Sequence, residues 1–459
     1  MKTSATIAIL FLLFASVAQA ADLAEQMDRL AKPYIDSETV VGMSIGIIQG
    51  DKTVVRGYGE LSADDSQVPD GKTIYEIGSI SKVFTGLLLA DAVVEGRVSL
   101  ETPAEDLLPE GFSMRRSEKD QPIQLRHLAT HASGLPRLPD NLKPADPYNP
   151  YADYTDQRLA EFLAGHQPNK QPGASMEYSN LGAGLLGTLL AFERKTNYES
   201  LLQERIATPL KLVDTGITLN AEQQKRLASP HIAGGTPGHT WDFDALAGAG
   251  AIRSDVDDLL KFAQAQLDPP AGKLGAAIDV AWRVQQKPLD KNDFAMGLGW
   301  HVARDGSTRW HNGQTGGYHS SLFVSRKLDA AVVVLTNTAT GEVDALAEQL
   351  MRMLAGAEEK PREFAKQLEV APAKMQRLAG KYQLAPGAVF TVSVQDDKLL
   401  VGLTGQPMLR VYPRSETVWF YKVVDATLTF QVNDSGRSVS VELFQNGVRQ
   451  TAKRVEKSE

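Results

Sequence analysis

Strand-like segments stand at both ends of the first 355 residues, with helical segments between them. Near the start, residues 43–48 and 53–58 are rich in β-branched side chains and flank a Gly50-Asp51 turn. Four more strand-like segments lie near the end, at residues 298–302, 308–311, 320–324 and 331–336. Segments so far apart in sequence share a core most simply by joining one sheet. The pattern therefore predicts an α+β domain, in which helices cover the faces of one antiparallel sheet and a helical lobe lies beside it.

Two helices of the intervening region are flanked by residues that predict where the helix begins or ends. A helix over residues 198–206 is expected to stop before Pro209, because proline lacks the N–H that would continue the hydrogen bonding. Ser254 is expected to cap a helix over residues 255–267, since a serine hydroxyl accepts hydrogen bonds from the free N–H groups of a first turn.

From residue 375 onward the sequence consists of short β-rich segments at regular spacing. The predicted strands cover residues 389–394, 398–403, 409–412, 417–423, 428–432 and 439–445. Turn signals such as Asn446-Gly447 separate them, which predicts a small antiparallel barrel or sandwich. The charged stretch 356–374 contains two prolines and is predicted to be a linker.

The first 20 residues have the pattern of an export signal. Lys2 is positively charged, residues 7–14 are apolar, and Ala18-Gln19-Ala20 is a small-x-small cleavage motif. The apolar run is short for a bilayer, and no later segment is long and apolar enough to span one. Cleavage after Ala20 is expected to release a periplasmic or secreted protein. The expected division of the chain is signal peptide 1–20, first domain 21–355, linker 356–374 and β domain 375–459.

Composition argues against several classes of function. The formal net charge of −8 disfavours nucleic acid or an anionic membrane surface as the main partner. The chain has no cysteine, which excludes disulfides, thiolate catalysis and thiolate metal sites. His127 and His131 have the i, i+4 spacing of a metal-binding pair, but Leu128 occupies the place of the zinc-protease glutamate. No metal or other cofactor is predicted.

Ser79 and Lys82 stand three residues apart at the start of a helix predicted over residues 80–94. That spacing places both side chains on one face of the helix. A serine at this position is most simply a helix cap, but a lysine near the positive end of the helix dipole is unfavourably placed. A desolvated lysine has a lowered pKa and can accept a serine proton, so the pair is a candidate nucleophile and base.

Tyr178-Ser179-Asn180 follows about one hundred residues later and precedes an apolar helix predicted over residues 181–193. The Tyr178 phenol can act as base and then as acid if a neighbouring lysine lowers its pKa. Asn180 can form hydrogen bonds to Lys82 and to a substrate amide. Taken alone, Tyr178 is more simply a buried aromatic side chain with a satisfied hydroxyl.

A third stretch begins on a predicted strand and ends in a glycine-rich turn. It reads Trp310-His311-Asn312-Gly313-Gln314-Thr315-Gly316-Gly317-Tyr318. Glycine lets a backbone approach a ligand closely, and the N–H groups of Gln314 and Ser79 are expected to form an oxyanion hole. Taken alone, the stretch is equally a plain hairpin turn.

The chain resembles the class C β-lactamase and DD-peptidase superfamily at its three motifs, in the same order and at similar separations. The matching stretches are Gly78-Ser79-Ile80-Ser81-Lys82, Tyr178-Ser179-Asn180 and His311-Asn312-Gly313. Further matches at 128–136, 254–260 and 298–300 extend the resemblance over about residues 30–355. Residues 375–455, with Leu378-x-Gly380-x-Tyr382-x-Leu384, resemble the lipocalin-like β-barrel appended to some relatives.

The resemblance implies a role for each matched residue. Ser79 would form the acyl-enzyme, and Lys82 and Tyr178 would share its proton. Tyr178 would also activate water for deacylation, and Asn180 would orient the substrate. The substrate would be a β-lactam or a related cyclic or linear amide.

The third motif departs from the class C pattern. His311 replaces the usual lysine and Asn312 the usual threonine, and a neutral histidine attracts a β-lactam carboxylate less strongly than lysine. Relatives with His-x-Gly include DD-peptidases, D-aminopeptidases and esterases, so peptides of D-amino acids and esters remain alternative substrates. Alternatives of another class are a non-catalytic protein that binds β-lactams or cell-wall peptides, and a binding function located in the C-terminal β domain.

Overall fold

The computed structural model describes residues 21–62, 66–114, 121–167, 170–364, 368–424 and 426–455. The predicted export signal, residues 1–20, lies outside the described residues. Among the described residues, no helix combines the length and apolarity needed to cross a membrane. The described chain forms two compact units: the first contains residues 21–32, 41–231 and 237–361, and the second contains residues 33–40, 232–236 and 362–455.

Twelve described strands precede residue 340. They are β1 (Gly42–Gln49), β2 (Lys52–Gly59), β3 (Tyr75–Glu76), β4 (His231–Ile232), β5 (Thr236–Pro237), β6 (Arg253–Ser254), β7 (Ala295–Met296), β8 (His301–Val302), β9 (Thr308–Gln314), β10 (His319–Ser325), β11 (Ala330–Thr336) and β12 (Thr338–Ala339). Seven of them form one sheet in the order β2-β1-β11-β10-β9-β8-β7, in which neighbours run antiparallel. The predicted sheet built from both ends of this region is therefore confirmed, since Ile47 of β1 pairs with Val332 of β11.

Helices cover the sheet and form the lobe beside it. They are α1 (21–36), α2 (Ser81–Val94), α3 (Leu125–Ala129), α4 (Asp156–Gly165), α5 (Asn180–Glu193), α6 (Tyr198–Leu202), α7 (Thr208–Leu210), α8 (Ala221–Gln224), α9 (Val256–Leu267), α10 (Lys273–Trp282) and α11 (Glu342–Leu354). Helix α9 packs on β1 and β11, and α11 packs on β10 and β11. The α+β prediction holds.

The structure corrects two predicted helix ends. The helix that begins at Tyr198 does not stop before Pro209, because a π-helical turn over Gln203–Ala207 leads directly into α7. A wider turn leaves room for the proline ring that a regular α-helix would exclude. The cap of α9 is Asp255, whose side chain accepts the Asp258 N–H, whereas Ser254 belongs to strand β6.

Helix α2 runs through the middle of the first unit. Every residue from Ser81 to Ala92 is buried, so the helix is surrounded on all sides by packing partners. The ring of Phe84 stacks on that of Phe262, with centroids 4.3 Å apart. A polar side chain on this helix is therefore placed in the protein interior, which determines the environment of Lys82.

The second unit contains a closed antiparallel barrel of eight strands. They are β13 (Gly380–Ala385), β14 (Ala388–Gln395), β15 (Lys398–Leu403), β16 (Leu409–Pro413), β17 (Val418–Tyr421), β18 (Ala426–Val432), β19 (Ser438–Gln445) and β20 (Val448–Val455). A short helix, α12 (Pro372–Leu378), precedes them. Six strands were predicted, and the two additional ones, β13 and β20, pair with each other and close the barrel. Closure removes both sheet edges and decides between a barrel and a sandwich.

Candidate active site

Ser79 lies in a 3₁₀ turn, Gly78–Ile80, that leads directly into α2. It is partly exposed, whereas residues on either side are buried. Gly78 has a φ of +48°, and a Cβ on it would lie 2.7 Å from the Gln314 nitrogen. Glycine is therefore required both by the left-handed conformation and by the close approach of β9. The turn presents Ser79 beside the end of β9.

Lys82 lies one helical turn after Ser79 and is 2% exposed. Its Nζ is 2.9 Å from Ser79 Oγ and donates a 2.7 Å hydrogen bond to the Ala249 carbonyl. Burial lowers the pKa of Lys82 well below its usual range, and the positive charge of Arg137 lowers this pKa further. The amine is therefore poised to be neutral and to accept a proton from Ser79.

Tyr178 forms a hydrogen bond with Ser79. Lys82 Nζ lies 4.8 Å from the centroid of the phenol ring, and the Arg137 guanidinium lies 5.1 Å from it. Burial raises the pKa of Tyr178 to about 12, and the Ser79 hydrogen bond and the Arg137 charge only partly oppose the rise. The lowered phenol pKa considered from the sequence is therefore not found, because desolvation outweighs the neighbouring charge.

These three groups form a complete donor and acceptor arrangement when Lys82 is neutral. With a neutral amine the Ser79 hydroxyl can donate to the lone pair of Lys82 Nζ, and the Tyr178 phenol lies within hydrogen-bonding reach of the same Ser79 oxygen. One N–H of Lys82 is used by the Ala249 carbonyl. The arrangement can therefore remove a proton from Ser79 and hold a second, phenolic proton beside the same oxygen.

Asn180 is the first residue of α5, whose cap is Ser179. Its Nδ2 donates to the Tyr151 hydroxyl at 3.1 Å. Within the described part of the chain its Oδ1 is buried and has no hydrogen-bond partner. The bond to Lys82 that the sequence suggested is thus replaced by one to Tyr151, and the Oδ1 is left available as an acceptor.

Strand β9 presents alternate residues to its two faces. A Cβ on Gly313 would lie 2.1 Å from the Ile77 carbonyl oxygen and 2.7 Å from the Ser79 nitrogen, so this face is the one against Ser79. Asn312 instead donates through Nδ2 to Asp344 of α11 at 2.7 Å. The exposed side chain of Gln314 lies with its Oε1 3.0 Å from His319 Nδ1. The side chains of Asn312 and Gln314 therefore have partners on the α11 side, and Gln314 approaches Gly78 through its backbone nitrogen.

His311 is fully buried on the same strand. Its Nδ1 lies 2.6 Å from the Asn312 carbonyl oxygen, which can only accept, so Nδ1 carries the proton. Burial lowers the pKa of His311 well below its usual range, and His301 and Lys82 lower this pKa further. The neutral ring presents an unprotonated Nε2, which has no partner among the described residues. His311 therefore adds an acceptor, and no positive charge, to this region.

Sequence reasoning missed several groups that surround the three motifs. The Ala249 carbonyl carries no sequence signal, because any residue has one. Arg137 and His131 belong to or adjoin the 128–136 stretch that matched the superfamily, so that stretch could have drawn attention to them. Tyr151 had no motif, and its ring stacks on that of Phe243 with centroids 4.5 Å apart.

Comparisons with known proteins agree with this architecture. The family model described as beta-lactamase matches residues 27–356, and a model described as a domain of unknown function (DUF3471) matches residues 365–455. A beta-lactamase of Escherichia coli strain K12 is 29% identical over 279 residues, which cover 60% of this chain and 69% of that protein. Protein flp of Staphylococcus aureus strain MRSA252 is 25% identical over 339 residues, covering 72% of this chain and 66% of that protein.

A solved structure is also similar over most of its length. It is a beta-lactamase/D-alanine carboxypeptidase from Yersinia pestis complexed with citrate. The TM-score is 0.63 at 26% sequence identity, and the match covers 73% of this chain and 99% of the other. Fold and sequence together define a serine hydrolase of the β-lactamase and DD-peptidase superfamily. The chain belongs to the β-lactamase family, with a C-terminal eight-stranded barrel.

Proposed function

We propose that the protein hydrolyses a β-lactam or a related cyclic or linear amide through an acyl-enzyme on Ser79. The observation that carries this proposal is the 2.9 Å separation between Ser79 Oγ and the buried Nζ of Lys82. An amine with a lowered pKa can take the serine proton at neutral pH. The hydrogen bond between Tyr178 and Ser79 places a protonated phenol beside the same oxygen.

In the proposed acylation step, Ser79 Oγ attacks the substrate carbonyl carbon while its proton passes to Lys82 Nζ. The oxyanion of the tetrahedral intermediate is bound by the backbone N–H groups of Ser79 and Gln314, which are brought together at the Gly78 turn. When the carbon–nitrogen bond breaks, the leaving nitrogen takes the phenolic proton of Tyr178. The ammonium of Lys82 then gives its proton to the Tyr178 phenolate, which restores the protonated phenol.

In deacylation, water attacks the same carbonyl carbon and gives its proton to the neutral Lys82 Nζ. The ester bond to Ser79 breaks, and Ser79 Oγ takes that proton from Lys82. Because burial raises the pKa of Tyr178 to about 12, the phenol is protonated in the resting enzyme, and Lys82 is the base that begins the cycle.

The unused acceptors of the second and third motifs favour an amide substrate over a simple ester. Asn180 Oδ1 and His311 Nε2 are both buried acceptors with no partner in the described part of the chain. An amide N–H satisfies such an acceptor, whereas an ester offers no donor, and an unpaired buried polar group is costly. A D-amino-acid peptide offers amide N–H donors, as a β-lactam side chain does. A peptidase of D-amino-acid substrates is therefore the second candidate, and the solved relative is named for both activities.

Incubation with a labelled penicillin followed by mass spectrometry of the intact protein and its peptides tests the acyl-enzyme. The expected result is one adduct, located on Ser79, that is absent in Ser79→Ala. Circular dichroism melting of both proteins controls for folding. An unmodified protein, together with full turnover by Ser79→Ala, would overturn the proposal.

Comparison of nitrocefin, a D-Ala-D-Ala peptide and a p-nitrophenyl ester on one preparation ranks the substrates. The expected order of kcat/KM places one of the two amides above the ester. A preparation that turned over the ester faster than both amides would support the esterase alternative instead.

We also propose that the protein is exported and cleaved after Ala20. The proposal is supported by the small-x-small motif after the apolar run. N-terminal sequencing of protein recovered from a periplasmic extract tests it, with Ala21-Asp22-Leu23 as the expected first residues. A periplasmic extract that lacks the protein would contradict it.

A further inference from the structure

His131 holds Tyr178 at three points. Its carbonyl accepts the Glu177 N–H at 2.8 Å, and its ring Nδ1 accepts the Ser179 N–H at 3.2 Å. Its ring also packs on the Tyr178 ring, with centroids 4.4 Å apart and planes inclined by 37°. The backbone on both sides of Tyr178 and the face of its phenol therefore all contact this one residue.

His131 makes these contacts from an unfavourable backbone conformation. Its φ is +58°, in the left-handed region that residues other than glycine rarely occupy. Of the eight described non-glycine residues with positive φ, His131 is the buried one, at 4% exposure, and the other seven are exposed. Strain of this kind is unfavourable and persists only where the surroundings require it.

The state of the imidazole is fixed by its contacts. Because Nδ1 accepts the Ser179 N–H, the proton of the neutral ring is on Nε2. Burial lowers the pKa of His131 well below its usual range, and the charges of Lys82 and Arg137 lower this pKa further. A neutral ring keeps the lone pair that Ser179 requires.

The geometry assigns His131 a positioning role: it holds the phenol of Tyr178 in hydrogen-bonding reach of Ser79. The assignment rests on the proposed function, since it concerns the proton donor of that reaction. His131 acts through Tyr178 and has no contact of its own with Ser79 among those described. Its loss therefore affects steps that use the Tyr178 proton and leaves ground-state binding of substrate largely unchanged.

The neighbouring segment holds the following residues in the same way. The Pro136 carbonyl accepts the Ser179 hydroxyl at 2.7 Å, and the Arg137 carbonyl accepts the Asn180 N–H at 3.0 Å. These bonds fix the start of α5, so the backbone beyond Tyr178 is anchored without His131. What His131 adds is the ring contact and the two bonds that bracket Tyr178 itself.

Two substitutions separate the contacts of His131. His131→Asn keeps an acceptor near the Ser179 N–H and tolerates positive φ, but it lacks the ring. His131→Ala lacks the acceptor and the ring. We expect kcat to fall roughly 30- to 100-fold in His131→Ala and less than tenfold in His131→Asn, with KM within about threefold of the parent, because small displacements of a reacting group are costly.

A double-mutant cycle with Tyr178→Phe distinguishes positioning from mere support of the fold. In the Tyr178→Phe background there is no phenolic proton to position. Each His131 substitution is therefore expected to lower kcat by less than about threefold there, although its effect on Tm is the same in both backgrounds. Equal losses of kcat in the two backgrounds, or a His131→Ala protein with kcat within threefold of the parent, would overturn the role.

Penicillin labelling of Ser79 is measured on every variant of the cycle. If His131→Ala does not fold, the cycle is carried out with His131→Asn alone, for which a three- to tenfold loss confined to the Tyr178 background is expected and equal losses refute the role. A parent protein that is not labelled at Ser79, together with full turnover by Ser79→Ala, refutes the proposed function. A labelled parent with an additive cycle refutes only the role of His131.

Discussion

The interiors of the two units differ in what they bury. The barrel core consists of apolar and aromatic side chains such as Trp419, Phe430 and Leu428. Among the described residues beyond Thr340, Ser438 is the one polar side chain that is buried. The first unit buries Lys82, His131 and His311 alongside its apolar core. Burying such groups costs free energy unless they are paired. We therefore expect the buried titratable groups of the first unit to lower its stability at the place where the proposed chemistry occurs.

Strand patterns differ in the same way. In β18 the buried and partly exposed positions alternate, as expected of a barrel wall with an apolar inside and a polar outside. In β10 all seven residues are buried, because helix α11 covers one face, and the Ser79 turn and helix α9 lie against the other. Ser320 donates to the Ile77 carbonyl at 2.7 Å on one face, and Ser321 contacts Asp344 on the other.

Lys82 gives the strongest test of the contrast between the buried polar groups of the first unit and the apolar core of the barrel. We expect Lys82→Met to lower kcat by roughly 10³- to 10⁴-fold, because it removes the base that accepts the Ser79 proton. The same change is expected to leave Tm unchanged or to raise it, since a buried amine is replaced by an apolar side chain of similar length. Turnover assays and thermal melting measure the two effects. The control is Lys327→Met at an exposed position, where activity is expected to be unchanged.

An active and less stable Lys82→Met protein would reverse the interpretation of the first unit. Lys82 would then be a structural residue whose bond to the Ala249 carbonyl stabilises the fold.

The complementary test lies in the barrel. Trp419 is 1% exposed, and its indole N–H donates to the Glu416 carbonyl at 3.2 Å. We expect Trp419→Ala to lower the free energy of unfolding of the barrel by about 3 to 5 kcal/mol through the cavity it leaves. The value of kcat is expected to stay within about twofold. Urea denaturation and steady-state assays measure these, with Val448→Ala at an exposed position as the control.

A large loss of kcat in a Trp419→Ala protein that is still folded would contradict this division. It would support the alternative in which the barrel contributes to the function of the first unit.

The barrel was the easier half to predict because its information is local. Alternating side chains and turn residues repeat at short intervals, so six strands were located from the sequence within a few residues of their bounds. Strands β13 and β20 were missed because their outer positions are exposed and their pairing joins the two ends of the domain. Closure of the barrel depends on pairing between residues far apart in the sequence, so no short sequence pattern predicts it.

At the candidate site the reacting residues were predictable from the sequence, but their surroundings were not. Ser79, Lys82 and Tyr178 were selected from the sequence, and the structure brings them together because α2, α5 and the loop before α5 share one core. What the sequence could not give is the environment. The pKa of Tyr178 rises where a fall was considered, and Asn312 contacts Asp344, because burial and strand alternation depend on the whole sheet.

Glycine at position 313 allows the close approach on which the proposed oxyanion hole depends. We expect Gly313→Ala to lower kcat roughly 100-fold, because its Cβ would collide with the Ile77 carbonyl and displace the Ser79 nitrogen. Gly165→Ala is the matched control, since no atom lies within 4 Å of a Cβ at that position. Steady-state kinetics on both variants decide the matter, and an unimpaired Gly313→Ala would place the oxyanion donors elsewhere.

The smallest expected effect is that of Arg137, whose charge influences the pKa of Lys82 in the first unit. Its positive charge disfavours protonation of the buried amine and so contributes to the lowered pKa of Lys82. Turnover requires neutral Lys82 and therefore rises as the pH increases through that pKa. Removing the charge raises this pKa, so Arg137→Gln is expected to move the acidic limb of the kcat/KM profile to higher pH.

The basic limb should move in the same direction. Arg137 also lowers the pKa of Tyr178, and the phenol must keep its proton to serve as the donor. Loss of the arginine raises this pKa too, which extends activity toward higher pH. Profiles of Arg137→Gln and Arg137→Lys measured with a neutral ester avoid any direct effect of the arginine on a charged substrate. Arg137→Lys keeps the charge and should leave both limbs in place, whereas a shift of the acidic limb to lower pH in Arg137→Gln would show that Lys82 is not the group that titrates.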